Sequence, residues 1–155
     1  MTSNTSALPT PVALLGYGGL IPFVGLAIAG FFVSDSLQPR VLFALITYGA
    51  IILSFVGALH WGFATARPGL SDTLRMQLFI WSVVPALLGW SALLLIEISP
   101  VAASALLIAV FATHLRQDIR LVRQNGLTDL PGWYLPLRAR LTLVAIISLL
   151  LGSVA

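Results

Sequence analysis

The chain has 155 residues, 59% of them hydrophobic before its 13 glycines are counted, and only 8% charged. A soluble domain carries about 25% charged residues, so this chain lacks the polar groups to clothe a hydrated surface and reads as an integral membrane protein, not a soluble enzyme. With no cysteine it has no disulfide, thiolate nucleophile or iron–sulfur ligand, and with arginine as its only basic side chain besides histidine it has no Schiff-base or P-loop lysine.

A helix needs about 20 apolar residues to cross roughly 30 Å of hydrocarbon, and five stretches meet that requirement. The first covers about 12–33, next to Pro9 and Pro11, and contains Gly16, Gly18, Gly19 and Pro22. The second covers about 41–66. The third covers about 74–97, with Pro85 and Gly89 inside it. The fourth starts at Pro100, where a proline suits the first helical turn, and extends to about 124, with Asn125-Gly126 as the stop signal. The fifth covers about 137–155. The expected fold class is therefore all-α, a single transmembrane domain over residues 1–155 made of a five-helix bundle. The first ten residues, MTSNTSALPT, carry no basic segment of the kind that opens a cleaved signal peptide.

Five spans place the termini on opposite sides. One side holds Arg67, Arg75, Arg116, Arg120, Arg123, Arg138 and Arg140, and the other holds only Arg40. The positive-inside rule assigns the arginine-rich side, with the N-terminus, to the cytoplasm and the C-terminus to the outside. These seven arginines are read as a cytoplasmic basic rim that meets anionic headgroups. The formal net charge of +3 is concentrated there, so nucleic acid is not an expected partner. The segment 125–136, with Pro131-Gly132 and Trp133-Tyr134, reads as an interfacial connection, and Asp35, Asp72 and Asp129 as solvated loop residues.

Small residues pattern the second span. Ala50, Ser54, Ala58 and Gly62 recur every four residues, while Gly49, Gly57 and Ala64 lie on another side around His60. Small side chains let helix backbones approach in lipid, so this helix is expected at the centre with neighbours on both faces.

Ionisable residues at membrane depth are costly and often functional. His60 lies about six residues from the arginine-rich end of its span, or ~9 Å along the axis. His114 and Asp118 are one turn apart on the fourth span, where the carboxylate is placed to orient the imidazole. The candidate ligand-binding set is His60, Trp61, His114 and Asp118. Three ligand classes are open: a bis-histidine haem, a metal held by His60, His114 and Asp118, and a quinone, lipid or other amphipathic molecule walled by Trp61, Trp81 and Tyr48. No tight spacing signature assigns a metal, the cofactor is unknown, and no residue stands out as catalytic.

Three segments carry a likeness: Leu15-Gly16-Tyr17-Gly18-Gly19-Leu20-Ile21-Pro22-Phe23; residues 48–62, ending in His60-Trp61-Gly62; and Pro131-Gly132-Trp133-Tyr134 with Leu137-Arg138-Ala139-Arg140-Leu141-Thr142. Together they resemble an uncharacterised family of five-helix membrane proteins that includes human transmembrane protein 69 and short proteobacterial members. The resemblance implies a multi-pass protein of a bacterial inner membrane or the mitochondrial one, and singles out His60, Trp61 and Gly62 without assigning them chemistry. Tryptophan-rich sensory proteins have a similar length, but four tryptophans are too few for that pattern. The leading expectation is a non-enzymatic accessory or assembly subunit, bathed in membrane lipid and packed against a larger membrane complex. The alternative is a small-molecule or cofactor-binding protein that uses the polar site around His60 and His114.

Overall fold

A computed structural model of the chain describes residues 7–124 and 130–155. Six helices form: α1 (Thr10–Gly18), α2 (Ile21–Gly30), α3 (Gln38–Ala66), α4 (Asp72–Leu95), α5 (Pro100–Gln124) and α6 (Tyr134–Gly152). They make five spans long and apolar enough to cross a membrane, because α1 and α2 together form the first, Thr10–Gly30. The chain is a multi-pass, all-helical membrane protein. The expected Asn125-Gly126 stop and the side chain of Asp129 lie outside the described residues.

The first span is broken where the sequence predicts one continuous helix. Pro22 has no N–H for the carbonyl one turn before it, and the Gly18-Gly19 pair supplies little helix propensity. The break leaves Gly19 with a carbonyl to satisfy, and the Tyr48 hydroxyl of α3 donates to it at 2.8 Å. A polar backbone group in the hydrocarbon layer needs such a partner from its neighbours. The Tyr48 ring also packs edge-on against Phe23 of α2, with centroids 5.0 Å apart.

The other helices start two or three residues earlier than the hydropathy alone marks, except α5. At the start of α4, the Ser71 hydroxyl accepts from the Leu74 amide at 3.3 Å, and Asp72 follows in the first turn, where the helix dipole favours a carboxylate. Ser99 accepts from the Ala102 amide at 3.2 Å ahead of Pro100. In α6, Pro136 falls in the first turn, where an amide would have no intrahelical partner, so the helix begins at Tyr134 and not after the proline.

The 29-residue α3, about 43 Å long at 1.5 Å per residue, packs against α2, α4, α5 and α6. Its closest approach is to α4. A Cβ on Gly57 would sit 2.8 Å from the Ser82 carbonyl oxygen, and one on Gly89 would sit 3.2 Å from the Ala50 carbonyl oxygen. Leu45, Ile46 and Leu53 of α3, with Phe23, Leu107 and Leu149, form the buried centre.

The small-residue pattern packs in part, with Gly49 toward Leu107, Leu149 and Phe23 and Gly57 toward α4. Ala50, Gly49, Gly57 and Ala64 are buried, but Ser54, Ala58 and Gly62 point outward. A spacing of four overshoots the 3.6-residue turn, so the row rotates about 120° around the helix between Ala50 and Gly62. Its first member faces a neighbour and its last three face the surroundings. Large apolar side chains such as Leu15, Phe32, Phe55, Leu87 and Trp90 are likewise exposed, as suits a lipid-facing exterior.

Candidate functional site

The ends of α3 and α5 and the starts of α4 and α6 share one side of the bundle. His60 lies six residues before the end of α3, Asp118 six before the end of α5, and Arg138 four after the start of α6. At 1.5 Å per residue, all three sit about 6–9 Å inside the helical ends. His114 is one turn deeper than Asp118 on the same helix.

Asp118 joins three helices. Its Oδ1 lies 2.8 Å from His60 Nε2, and its Oδ2 accepts from Arg138 Nε at 2.9 Å. All of these groups are withdrawn from the surface: His60 is 0%, Asp118 2% and Arg138 7% exposed. A buried ion pair is tolerated when its remaining lone pairs are used, and each carboxylate oxygen here has a partner. Against an ionised Asp118, which can only accept, His60 Nε2–H is the donor.

His114 lies beside this chain without joining it. Its ring stacks on His60 with centroids 4.7 Å apart and planes inclined by 38°. It is 1% exposed. One side of the ring faces the Val56 carbonyl, but neither nitrogen makes a well-formed hydrogen bond among the described residues, and His60 Nδ1 is unpaired as well. An unpaired buried polar atom costs about 1–3 kcal/mol. The cluster thus gathers several such costs in one place. The Thr142 Oγ1, also buried and unpaired among the described residues, and the buried Tyr134 hydroxyl, which faces Arg138, lie one turn to either side of Arg138 on α6.

The structure therefore brings together three members of the expected set and leaves out the fourth. His60, His114 and Asp118 each contribute one donor atom to a group whose atoms all lie within 4.8 Å of one another. This gathers metal-ligand types that the sequence spacing leaves unassigned. Asp118, expected to orient His114, instead holds His60, because the α5 face carrying it turns toward α3. Trp61 is 52% exposed and packs edge-on against Phe79 of α4, 4.7 Å away, since it follows a buried residue by a 100° step. Tyr48, about 18 Å along α3 from His60, serves the α1–α2 break and not a shared aromatic wall. The two imidazole centroids stand 4.7 Å apart, with no porphyrin-sized gap between them in this arrangement.

The expected basic rim divides. Arg116, Arg120, Arg123 and Arg140 are exposed. Arg67 lies over the Phe63 ring, 5.7 Å from its centre, and Arg75 donates to the Ala64 carbonyl at 3.2 Å. Arg138 is not at the rim at all. The signal for this is on α6 itself: Arg138 shares a stripe with Thr142, Ala145 and Leu149, all buried, whereas Arg140 lies two residues away on the outer face. Tyr134 is the other site neighbour that the sequence reading passed over; its ring packs edge-on against Phe63, 6.0 Å away.

A crevice of about 110 Å³ reaches the Arg138 side of the cluster between the α1–α2 break, α3, α5 and α6, bordered by Gly16, Leu20, Phe55, Phe111 and Thr142. A larger cavity of about 240 Å³ lies at the opposite end of the bundle, beside Gly30, Pro100 and Ser153, with Asp35 as its one ionisable wall residue. The ionisable cluster therefore adjoins the smaller opening.

Five apolar spans enclosing a buried His–Asp–Arg cluster define a multi-pass membrane protein with a polar centre near one membrane face. Residues 8–154 match the family described as protein of unknown function DUF3429, and the chain belongs to that family. It is 40% identical to transmembrane protein 69 of Xenopus tropicalis over 143 residues, covering 91% of this chain and 53% of that protein. It is 31% identical to transmembrane protein 69 of Mus musculus over 142 residues, covering 90% of this chain and 54% of that protein. The chain thus spans about half the length of these curated relatives. No solved structure matches it.

Proposed function

We propose that this protein is a multi-pass protein of the bacterial cytoplasmic (inner) membrane that binds a small molecule or cofactor at His60, His114 and Asp118. The observation that carries this reading is the set of unpaired imidazole nitrogens. His60 and His114 are both at most 1% exposed, and among the described residues three of their four ring nitrogens make no well-formed hydrogen bond. A helix pair held together only for stability is served better by apolar side chains than by buried polar atoms left unmatched. A bound group supplies the missing partners. A crevice of about 110 Å³ adjoins the cluster on its Arg138 and Thr142 side. The arginine-rich end, and with it this site, faces the cytoplasm.

The test is direct. The full chain, purified from native membranes in mild detergent with a histidine-free tag, is analysed for metals and for co-purifying organic molecules. A near-stoichiometric species that disappears in His60→Ala is the expected result. Protein that is monodisperse, folded and free of any such species overturns the reading.

A second reading rests on a different feature. Ser54, Ala58 and Gly62 form an exposed row on α3, next to the exposed Trp61. Small residues of this kind admit another transmembrane helix at close range, which supports an accessory subunit seated against a larger membrane complex. A photo-crosslinker at Ala58 in native membranes tests it: a defined heavier product supports the subunit role, and crosslinking to lipid alone counts against it.

A further inference from the structure

We propose that His60, His114 and Asp118 form a three-ligand site for a divalent transition-metal ion of the zinc type, with Arg138 as the residue that positions the carboxylate. This inference rests on the binding-site reading above and names the ligand class.

The geometry supplies the ligand set. One nitrogen of each histidine and one oxygen of Asp118 lie within 4.8 Å of one another. Around a metal bound at about 2.0–2.2 Å, neighbouring donors stand somewhat closer than that, so small side-chain adjustments complete the site. Two imidazoles and a carboxylate suit zinc and similar first-row divalent ions, and three protein ligands leave a fourth position open for water or substrate.

A second, independent observation points to a missing ligand. His114 is 1% exposed, and among the described residues neither of its nitrogens makes a well-formed hydrogen bond, one side of the ring facing the Val56 carbonyl. Its ring nonetheless lies against His60, tilted by 38° at a centroid distance of 4.7 Å. A histidine kept for packing alone would not need that ring chemistry. A metal takes up a His114 lone pair, and at His60 it takes the place of the Nε2 proton that faces Asp118 Oδ1 at 2.8 Å, the ring keeping its one proton on Nδ1 as the other neutral tautomer.

Arg138 fits the arrangement as an outer partner. Its Nε holds Asp118 Oδ2 at 2.9 Å, so Oδ1 is the oxygen presented to the histidines. Ligating carboxylates are commonly fixed by such a hydrogen bond, and loss of an outer partner weakens metal binding about 10–100-fold. The guanidinium also offsets the carboxylate charge in a region of low dielectric.

The experiment uses the full chain in lipid nanodiscs, stripped with chelator and free of any histidine tag. It is titrated with Zn2+ by calorimetry and with Co2+ by optical absorption, whose visible bands report the ligand set. One ion per chain and the intense visible bands of a tetrahedral cobalt site are expected. His114→Leu is the decisive variant, because it removes one proposed ligand and leaves the His60–Asp118–Arg138 contacts in place. It should keep the wild-type unfolding temperature without metal, lose the cobalt bands and lose at least 100-fold in affinity. Arg138→Gln should bind 10–100-fold more weakly with the bands retained, a combination that a purely structural arginine would not produce. Wild-type protein that takes up less than a tenth of an ion per chain, or His114→Leu that binds like wild type, overturns the metal assignment. If metal fails to bind but an organic molecule co-purifies and is lost in His60→Ala, the metal falls and the binding site stands. If neither is found, both fall.

Discussion

Asp118 and His60 are 58 positions apart in the chain and 2.8 Å apart in space. Their contact ties α5 to α3, and because the second oxygen of Asp118 holds Arg138, it ties α6 to both. The three central helices at this end of the bundle are thus joined through one carboxylate.

Removing that carboxylate strands a charge. Asp118→Ala leaves the Arg138 guanidinium buried without its counter-ion, and breaking a buried pair from one side costs about 3–5 kcal/mol. Detergent-phase thermal or denaturant unfolding should show a loss of this size. The double variant Asp118→Ala/Arg138→Met should recover a large part of it, since no charge is then left unpaired. Arg120→Gln, on the exposed rim, should change stability by no more than about 0.5 kcal/mol.

The α3–α4 contact predicts opposite fates for two glycines on one helix. A methyl group at Gly57 meets the Ser82 carbonyl at 2.8 Å and the Pro85 ring at 3.4 Å, while one at Gly62 meets nothing within 4 Å. Gly57→Ala should destabilise by about 1–3 kcal/mol through forced separation of the backbones. Gly62→Ala should be neutral or stabilising by up to about 1 kcal/mol, because alanine is the better helix former. Parallel unfolding curves check the pair.

Tyr48→Phe isolates the hydroxyl that serves the broken first span. It removes the 2.8 Å bond to the Gly19 carbonyl and keeps the ring against Phe23. The expected cost is about 1 kcal/mol, with faster amide exchange at residues 18–21 as the local readout. Unchanged exchange there would mean the carbonyl finds another partner.

The orientation is open to a clean test because the chain has no cysteine of its own. Thr73→Cys marks the arginine-rich end and Ser36→Cys the opposite end; both positions are exposed. In intact cells an impermeant maleimide should label Ser36→Cys and not Thr73→Cys, and Thr73→Cys should react once the membrane is opened. The reverse pattern would place the His60 cluster on the outer side.

Much of this protein is legible from residues alone, and the reason is local. Membrane insertion follows from a sum over about 20 neighbouring side chains, and the arginines at one set of span ends stand out against a nearly uncharged chain. Small residues marked α3 as the helix with several neighbours. Where the reading slipped, a rotation was at issue. Ser54, Ala58 and Gly62 were grouped with Ala50 by spacing, yet the 3.6-residue turn carries them round to the outer face. Arg138 and Arg140 look equivalent in Leu137-Arg138-Ala139-Arg140, but two residues amount to about 200°, which separates a buried ion pair from an exposed contact with the Tyr17 hydroxyl.

By itself, the sequence determined that this chain dissolves in a bilayer as five spans, with its arginines gathered at one end, since hydropathy and charge are properties of consecutive residues. Only the tertiary structure decided that Asp118 would hold His60 and Arg138 in place of its own neighbour His114, and that Trp61 would face outward. Those outcomes depend on which side of each helix meets which partner. Helix packing sets that orientation through close contacts such as Gly57 against Ser82, and those contacts join residues far apart in the chain.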